Sequence, residues 1–258
     1  MKQFKCFDAH FHIIDNKYPL IANNGYLPSA FTANDYKKSL SNFPLELCGG
    51  TIVSGSFQGY NTDYIVEALN ILGKQYVGVI NLPLDITDQE ILYLHKKQIR
   101  AVRFNLYRGN NISTKNIINI AKRIYGLTKW HIELYADLTS IKDLYDTLTS
   151  LPKVTIDHLG LFRDNNMELL FKLAEKGVYI KATRFSKLNY ELIPSVMRKI
   201  YNVNSNSLIF GTDMPGTRAP RQFNQSDFTL FTNNFNEKEL NNIMYANSKN
   251  LYLSKIKM

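Results

Sequence analysis

The chain has 258 residues, 45% of them hydrophobic and 21% charged, which is ordinary for a globular protein and enough to bury a full core without disulfides or metal staples. No apolar run approaches the ~20 residues of a membrane span, and the stretch up to Asp15 carries acid and histidine where a signal peptide would be apolar, so a cytoplasmic protein without membrane contact is expected. The formal charge of +9 is spread over 31 basic residues, of which only nine are arginines; with no basic stripe and no interleaved aromatics, nucleic-acid binding is not expected, and a small anionic ligand is the better use of the charge.

Short β-like runs alternate with helical ones along the chain. Strands are expected at Phe4–His12, Thr51–Ser56, Tyr76–Leu82, Ala101–Leu106, Trp130–Leu134, Val154–His158, Val178–Thr183 and Leu208–Thr212. Helices are expected near Tyr64–Leu72, Asp88–Lys97, Ser113–Tyr125, Leu138–Leu148, Met167–Lys176 and Leu192–Tyr201, with a last one at Glu237–Asn247. Thr87-Asp88-Gln89-Glu90 and Ser113 are helix-start signals, and Lys176-Gly177 is a helix stop. Residues Asn16 to Thr32, with Tyr18, Pro19, Gly25, Tyr26 and Pro28, form an ordered loop that could cover a site. Eight strands separated by helices predict an α/β fold, a slightly elaborated (β/α)₈ TIM barrel forming one domain over residues 1–258. A doubly wound open sheet has less support, because no Gly-x-Gly-x-x-Gly turn follows the first strand. Cys6 and Cys48 read as small apolar residues in a reducing compartment.

Barrel active sites form at the C-terminal strand ends. Asp8-Ala9-His10-Phe11-His12 closes the first strand, and simple alternation projects Asp8, His10 and His12 together. His131 falls on the fifth strand and His158 on the sixth, while His95 sits in a helix and is expected to be solvated. Asp213 follows the eighth strand in Gly211-Thr212-Asp213-Met214-Pro215, and closure brings it beside the first. Two imidazoles on one face can bind a metal, move a proton or polarise a carbonyl. Of the nine arginines, Arg103, Arg108, Arg163, Arg184, Arg218 and Arg221 lie at or beyond strand ends, where a guanidinium recognises carboxylate or phosphate. Arg103, inside a strand, requires either an ion pair with Asp8 or Glu133 or a substrate carboxylate. On the fifth strand His131, Glu133 and Tyr135 share a face, with Tyr135 nearest the ligand end and Glu133 offsetting charge.

The ordered set Asp8-Ala9-His10-Phe11-His12, Ala101-Val102-Arg103-Phe104-Asn105-Leu106, Trp130-His131-Ile132-Glu133-Leu134, Ile156-Asp157-His158-Leu159-Gly160 and Gly211-Thr212-Asp213-Met214-Pro215 resembles the amidohydrolase-related proteins of the amidohydrolase superfamily. Within them it is most similar to the 2-pyrone-4,6-dicarboxylate lactonases and sugar lactonases. The resemblance implies a hydrolase acting on the ester of a small anionic lactone or sugar acid. Asp213 would activate water, His10, His12 and His158 would polarise the carbonyl, and Arg103, Tyr135 and Tyr26 would bind substrate. Arg108, Arg163 and Arg184 join them as candidate carboxylate contacts. Metal-dependent relatives use the corresponding histidines and acid as ligands, with further ligands where this chain has Arg103 and Tyr135. Both departures match the lactonase branch, which works without a metal, so no cofactor is expected. The alternative keeps His10, His12, His158 and Asp213 as Zn²⁺ ligands, for hydrolysis or decarboxylation. Leu161 stands where many members have arginine, with Arg163 two residues on, and a homo-oligomer is compatible with all of this.

Overall fold

The computed structural model describes residues 3–108, 112–163 and 166–254. Eight strands, β1 (Phe4–Phe11), β2 (Leu45–Val53), β3 (Tyr76–Ile80), β4 (Ile99–Asn105), β5 (His131–Tyr135), β6 (Val154–Ile156), β7 (Tyr179–Ala182) and β8 (Leu208–Phe210), pair in chain order. Each neighbouring pair is parallel. Between them lie α1 (Ala33–Leu40), α2 (Asp63–Leu72), α3 (Asp88–Lys96), α4 (Thr114–Thr128), α5 (Tyr145–Ser150), α6 (Met167–Glu175) and α7 (Ile193–Val203). After β8 come α8 (Gln225–Thr232), α9 (Glu237–Asn241) and α10 (Asn247–Leu253). This is a (β/α)₈ TIM barrel. No helix among the described residues is long and apolar enough to cross a membrane.

The seam between β8 and β1 is closed by backbone just beyond β8. Asp213 N–H donates to the His10 carbonyl at 2.7 Å, and His12 N–H donates to the Met214 carbonyl at 2.7 Å. Gly211 makes this approach possible, since a Cβ there would lie 2.9 Å from the His10 nitrogen.

Alternation sorts each strand into an inner and an outer face. Val102 and Phe104 of β4 join the outer core beneath the helices, whereas Phe7, Ala9, Val53, Val77, Val79, Ala101 and Ile209 fill the floor of the barrel with Leu251 and Tyr252 of α10. The helix starts read from Thr87 and Ser113 are real caps: each side chain accepts a first-turn N–H, from Glu90 and from Asn116. Gly177 ends α6 at φ +87°.

Several elements differ from expectation. Two eight-residue helices, α1 and α8, have no counterpart among the expected helices, and each is fixed by a capping box, at Thr32 and at Asn224. β2 begins at Leu45 rather than Thr51, because Gly49 and Gly50 interrupt its pattern while lying in the strand. A Cβ at Gly49 would sit 2.4 Å from the Gln75 carbonyl. The helix expected over Leu138–Leu148 is a 3₁₀ segment, Leu138–Leu144, running into α5. His95 is half-buried and accepts a hydrogen bond from Trp130 Nε1 at 3.0 Å, so it is not a free surface histidine. Cys6 is buried as expected, but Cys48 is only partly so.

Candidate active site

The histidine pair owes its aim to a bulge. Asp8 pairs with Gly50 and Phe11 with Ile52, three steps along β1 against two along β2. The extra residue reverses the phase of the strand. Phe11 therefore stacks on Tyr36 of α1, with centroids 3.8 Å apart, and the Asp8 carboxylate accepts from the Tyr36 hydroxyl at 3.2 Å, both on the outer side. His10 and His12 turn inward. The expectation that Asp8 projects with them is overturned; it holds the seam instead, accepting from Thr212 N–H at 2.9 Å, Thr212 Oγ1 at 2.6 Å and His10 N–H at 3.1 Å. Burial outweighs these bonds and raises its pKa to about 6.

Inside the barrel the three histidines gather at one acid. His10 and His158 rings are 4.9 Å apart, and His10 and His12 rings 5.1 Å. Asp213 Oδ1 lies 3.3 Å from His12 Nε2 and 3.6 Å from His10 Nε2. His12 Nδ1 donates to the Val53 carbonyl at 2.7 Å. His158 Nδ1 bonds Thr183 Oγ1 at 2.7 Å. All four side chains are buried. Burial lowers His10 to about 4 and His158 well below the ordinary histidine value, so both are neutral. Burial would raise Asp213, but His158, His12, Arg184 and His10 outweigh it and hold the carboxylate ionised.

Beneath this cluster lies a buried ionic lattice that no sequence pattern announced as a unit. Lys181 of β7 sits with Nζ 2.5 Å from Glu133 Oε2 and 3.3 Å from Asp157 Oδ1. Arg103 Nε bonds Asp157 Oδ2 at 2.8 Å, so its ion-pair partner is neither Asp8 nor Glu133. Burial would raise Asp157, yet the two cations beside it, Lys181 first and then Arg103, bring it well below the usual range. Glu133 also meets His131 Nε2 at 3.2 Å and the Tyr252 hydroxyl of α10. The face of β5 carrying His131, Glu133 and Tyr135 does point inward. The available signal for Lys181 was its place in Tyr179-Ile180-Lys181-Ala182, a lysine in phase with the inner positions of an otherwise apolar strand.

Residues at the rim adopt left-handed backbone where the strands end: His158 (φ +55°), Leu159 (+50°), Leu161 (+47°), Arg184 (+58°) and Asp213 (+56°). Each such residue costs on the order of 1–2 kcal/mol, a strain common at functional sites. These turns direct Arg184 back over the cluster, where Nη1 is 3.4 Å from Asp213 Oδ2.

A throat of about 30 Å³, lined by His12, Arg103, Arg108, Tyr135, Arg184 and Arg218 among others, shares Arg108 with two larger cavities. One, of about 550 Å³, is walled by Tyr107, Arg108, Tyr135, Leu161, Arg163, Arg184 and Lys187 among others. The other, of about 210 Å³, is lined by amides, Asn23, Asn81 and Asn105, with Arg108. Arg103 and Arg184 stack near Tyr135, 5.0 and 5.9 Å from its centroid. Arg163 lies at the outer edge, its side chain 68% exposed and paired with Asp137 at 3.1 Å. Tyr26 does not line the throat; it lies under Arg218, whose guanidinium is 4.3 Å from its ring centroid, and its hydroxyl accepts from Arg218 N–H at 3.3 Å. Arg221, counted among the rim arginines, is instead a strap, bidentate to Asp227 at 2.5 and 2.8 Å. The loop from Asn16 to Thr32 does reach the site, through Tyr26 and Asn23.

Two groups of donors have the spacing of a metal site: His10, His12 and Asp213, and His10, Asp157 and His158. The fit is chemical as well, because Nε2 of His10, Nε2 of His158 and Oδ1 of Asp213 are buried without hydrogen-bond partners.

Known proteins share both the fold and part of the sequence. Over 158 residues the chain is 29% identical to a 2-pyrone-4,6-dicarboxylate hydrolase of Comamonas testosteroni, an alignment covering 59% of this chain and 51% of that one, about half the relative's length. A probable 2-pyrone-4,6-dicarboxylic acid hydrolase of Acinetobacter baumannii, with citric acid bound, has the same fold (TM-score 0.83, 22% identity, 96% of this chain and 98% of that one). So does a putative 2-pyrone-4,6-dicarboxylic acid hydrolase of Pseudomonas putida (TM-score 0.82, 20% identity, 98% of each chain). The amidohydrolase family model matches residues 7–253, from β1 to the end of α10, and the chain belongs to that family.

Proposed function

We propose that the chain is a single-domain cytoplasmic hydrolase that opens the lactone ring of a carboxylated or sugar-acid substrate without a metal ion. The observation that carries this reading is at the throat. Arg108 and Arg218 line it beside His12 and Tyr135, and neither has a carboxylate partner among the described residues. Two guanidiniums without counter-charge, facing a cavity, fit a substrate that brings its own carboxylates. Relatives named as dicarboxylate hydrolases, and citric acid in one of them, support the same class.

In the proposed reaction a water lies within hydrogen-bond reach of both Asp213 Oδ1 and His12 Nε2, which are 3.3 Å apart. Asp213 takes its proton as the oxygen adds to the ester carbonyl. Nε2–H groups of His10 and His158 stabilise the developing oxyanion, each donor contributing several kcal/mol in enzymes generally. Collapse of the intermediate breaks the ring C–O bond, and Asp213 returns the proton to the leaving alkoxide. The Val53 bond supports placing His12 beside the water rather than at the carbonyl. Arg103, Arg108, Arg184 and Tyr135 hold the substrate, with Arg163 and Tyr26 contributing from the rim.

Charge balance supports the metal-free form. Asp157, Glu133 and Asp213 are matched within the site by Arg103, Lys181 and Arg184. A dication would add two uncompensated charges to a buried, neutral set. The second reading rests on the unpartnered atoms of His10, His158 and Asp213: His10, His12 and Asp213, or His10, His158 and Asp157, have the spacing to hold Zn²⁺, which would supply Lewis acidity and an activated water.

A pH-indicator screen of carboxylated and sugar lactones, with and without chelator, tests both. Chelator-resistant hydrolysis is expected. Chelator-sensitive turnover with stoichiometric metal would overturn the metal-free mechanism, and no turnover of any lactone would overturn the function.

A further inference from the structure

His10 and His12 lie on the same strand and face the same acid, but their Nδ1 atoms meet opposite kinds of neighbour. His12 Nδ1 faces the Val53 carbonyl, which can only accept. His10 Nδ1 faces Lys181 Nζ, hydrogen-bonded at 3.4 Å. Lys181 is wholly buried and held between two carboxylates, Glu133 at 2.5 Å and Asp157 at 3.3 Å, so it is an ammonium. An ammonium has three donors and no acceptor.

A nitrogen that bonds an ammonium must offer its lone pair. A neutral imidazole with a bare Nδ1 carries its proton on Nε2. Asp157 Oδ1 also lies 3.3 Å from His10 Nδ1, which would favour the other tautomer, but this carboxylate is already engaged by two cations, Lys181 at 3.3 Å and Arg103 at 2.8 Å. Nε2 of His10 has no partner and stands 3.6 Å from Asp213 Oδ1, in the space where the reacting carbonyl would lie.

We propose that Lys181 is a positioning residue that fixes the Nε2–H tautomer of His10, making His10 a hydrogen-bond donor to the reacting carbonyl and denying that nitrogen to a metal ion. The donor role rests on the lactone-opening reading; the tautomer does not. On this account His10 and His12 divide the work, one donating to the carbonyl and one accepting from the water. A purely structural Lys181 would neutralise Glu133 and Asp157 without any effect on where the His10 proton sits.

The test is long-range ¹H–¹⁵N spectroscopy of the ligand-free, ¹⁵N-labelled wild-type protein, with the His10 ring identified by its loss in His10→Gln. The expected result is a pyridine-type Nδ1 and a pyrrole-type Nε2 for His10, with His12 reversed. A pyrrole-type Nδ1 on His10 overturns the proposal. Calorimetric titration with Zn²⁺ alone then compares Glu133→Gln with Lys181→Met/Glu133→Gln, a pair in which the ammonium is removed against a carboxylate already neutralised. Removing Lys181 is expected to tighten Zn²⁺ binding by about 10- to 100-fold, the scale of outer-shell effects on metal sites. Equal affinities overturn the proposal, and if the double variant does not fold, the wild-type spectrum alone decides. A wild-type protein that hydrolyses no lactone but shows the expected tautomer would refute the reaction and leave the role of Lys181 standing.

Discussion

Asp8 and His10 stand two residues apart on β1 and face opposite sides of the barrel wall. The Asp8 carboxylate meets Tyr36 of α1 on the outside, at 3.2 Å, while the His10 ring packs against His158 inside, with centroids 4.9 Å apart. The bulge between them is what delivers both histidines of the motif to the chamber. It also leaves Asp8 to join β1 to Thr212, so the residue that looked chemical is the fastener of the seam.

Asp8 should make stability depend on pH in an unusual direction. Burial raises its carboxyl from 3.8 to about 6, so the folded state holds this proton more tightly than the unfolded chain. The contribution is present in full below pH 4 and is lost as pH rises through 6, a swing of about 3 kcal/mol by linkage. Asp8→Asn lacks this proton but can keep the bonds, its oxygen accepting the two backbone N–H groups and its amide donating to the two hydroxyls. Urea unfolding at pH 4.5 and pH 7 checks this. The advantage of the Asp8→Asn variant over wild type should be larger at pH 7, and an equal difference at both pH values would contradict the burial of the charge.

Asp213→Asn should lower kcat by on the order of 10²–10⁴ if Asp213 carries the proton. Folding should survive, because the two backbone bonds across the seam do not involve the carboxylate. The measurement is steady-state kinetics on whichever acidic lactone the screen identifies. A near-wild-type rate would remove Asp213 from the reaction.

Arg103 and Arg108 line one throat but should fail differently when truncated. Arg103 is tied to Asp157 at 2.8 Å, and Arg103→Met would leave a buried carboxylate short of a partner, costing about 3–5 kcal/mol of stability. Arg108 has no carboxylate partner among the described residues, so Arg108→Met should unfold like wild type. Its effect should appear in KM, raised by about 10- to 100-fold for loss of a charge-assisted bond. Unfolding curves set beside KM values separate the two, and an unchanged KM in Arg108→Met would remove it from substrate binding.

The barrel was legible because its strands alternate and its helices announce their starts, as at Thr87 and Ser113. The site was legible wherever a reactive residue ended a strand: His10, His12, His158, Asp213 and Tyr135 all meet in space. What could not be read was whatever depends on register or on a partner far along the chain. The bulge in β1 needs the pairing with Gly50 and Ile52 to be seen, so alternation alone placed Asp8 on the wrong face. Arg103 demanded a buried partner, but only closure shows that Asp157 fills the place. Lys181 carries its meaning in Glu133, 48 residues away, and in His10, 171 away.

Gly211 gives the most direct check that barrel closure and chemistry are coupled. A Cβ at this position would lie 2.7 Å from Thr183 Cγ2, 2.9 Å from the His10 nitrogen and 3.0 Å from His10 Cβ. Thr183 holds His158 through its hydroxyl at 2.7 Å, so one methyl group presses on the supports of both His10 and His158 at once. Backbone cannot swing aside as a long side chain can, and overpacking of this kind costs about 1–3 kcal/mol. Gly211→Ala should therefore lower the thermal midpoint modestly and reduce kcat by a larger factor than it raises KM, since the arginines at the throat are untouched while the proposed carbonyl donors, His10 and His158, are displaced. Thermal unfolding together with kcat and KM measures both halves. A destabilised variant with wild-type kcat would mean that the seam yields without moving His10 or His158, and that closure and catalysis are separable in this barrel.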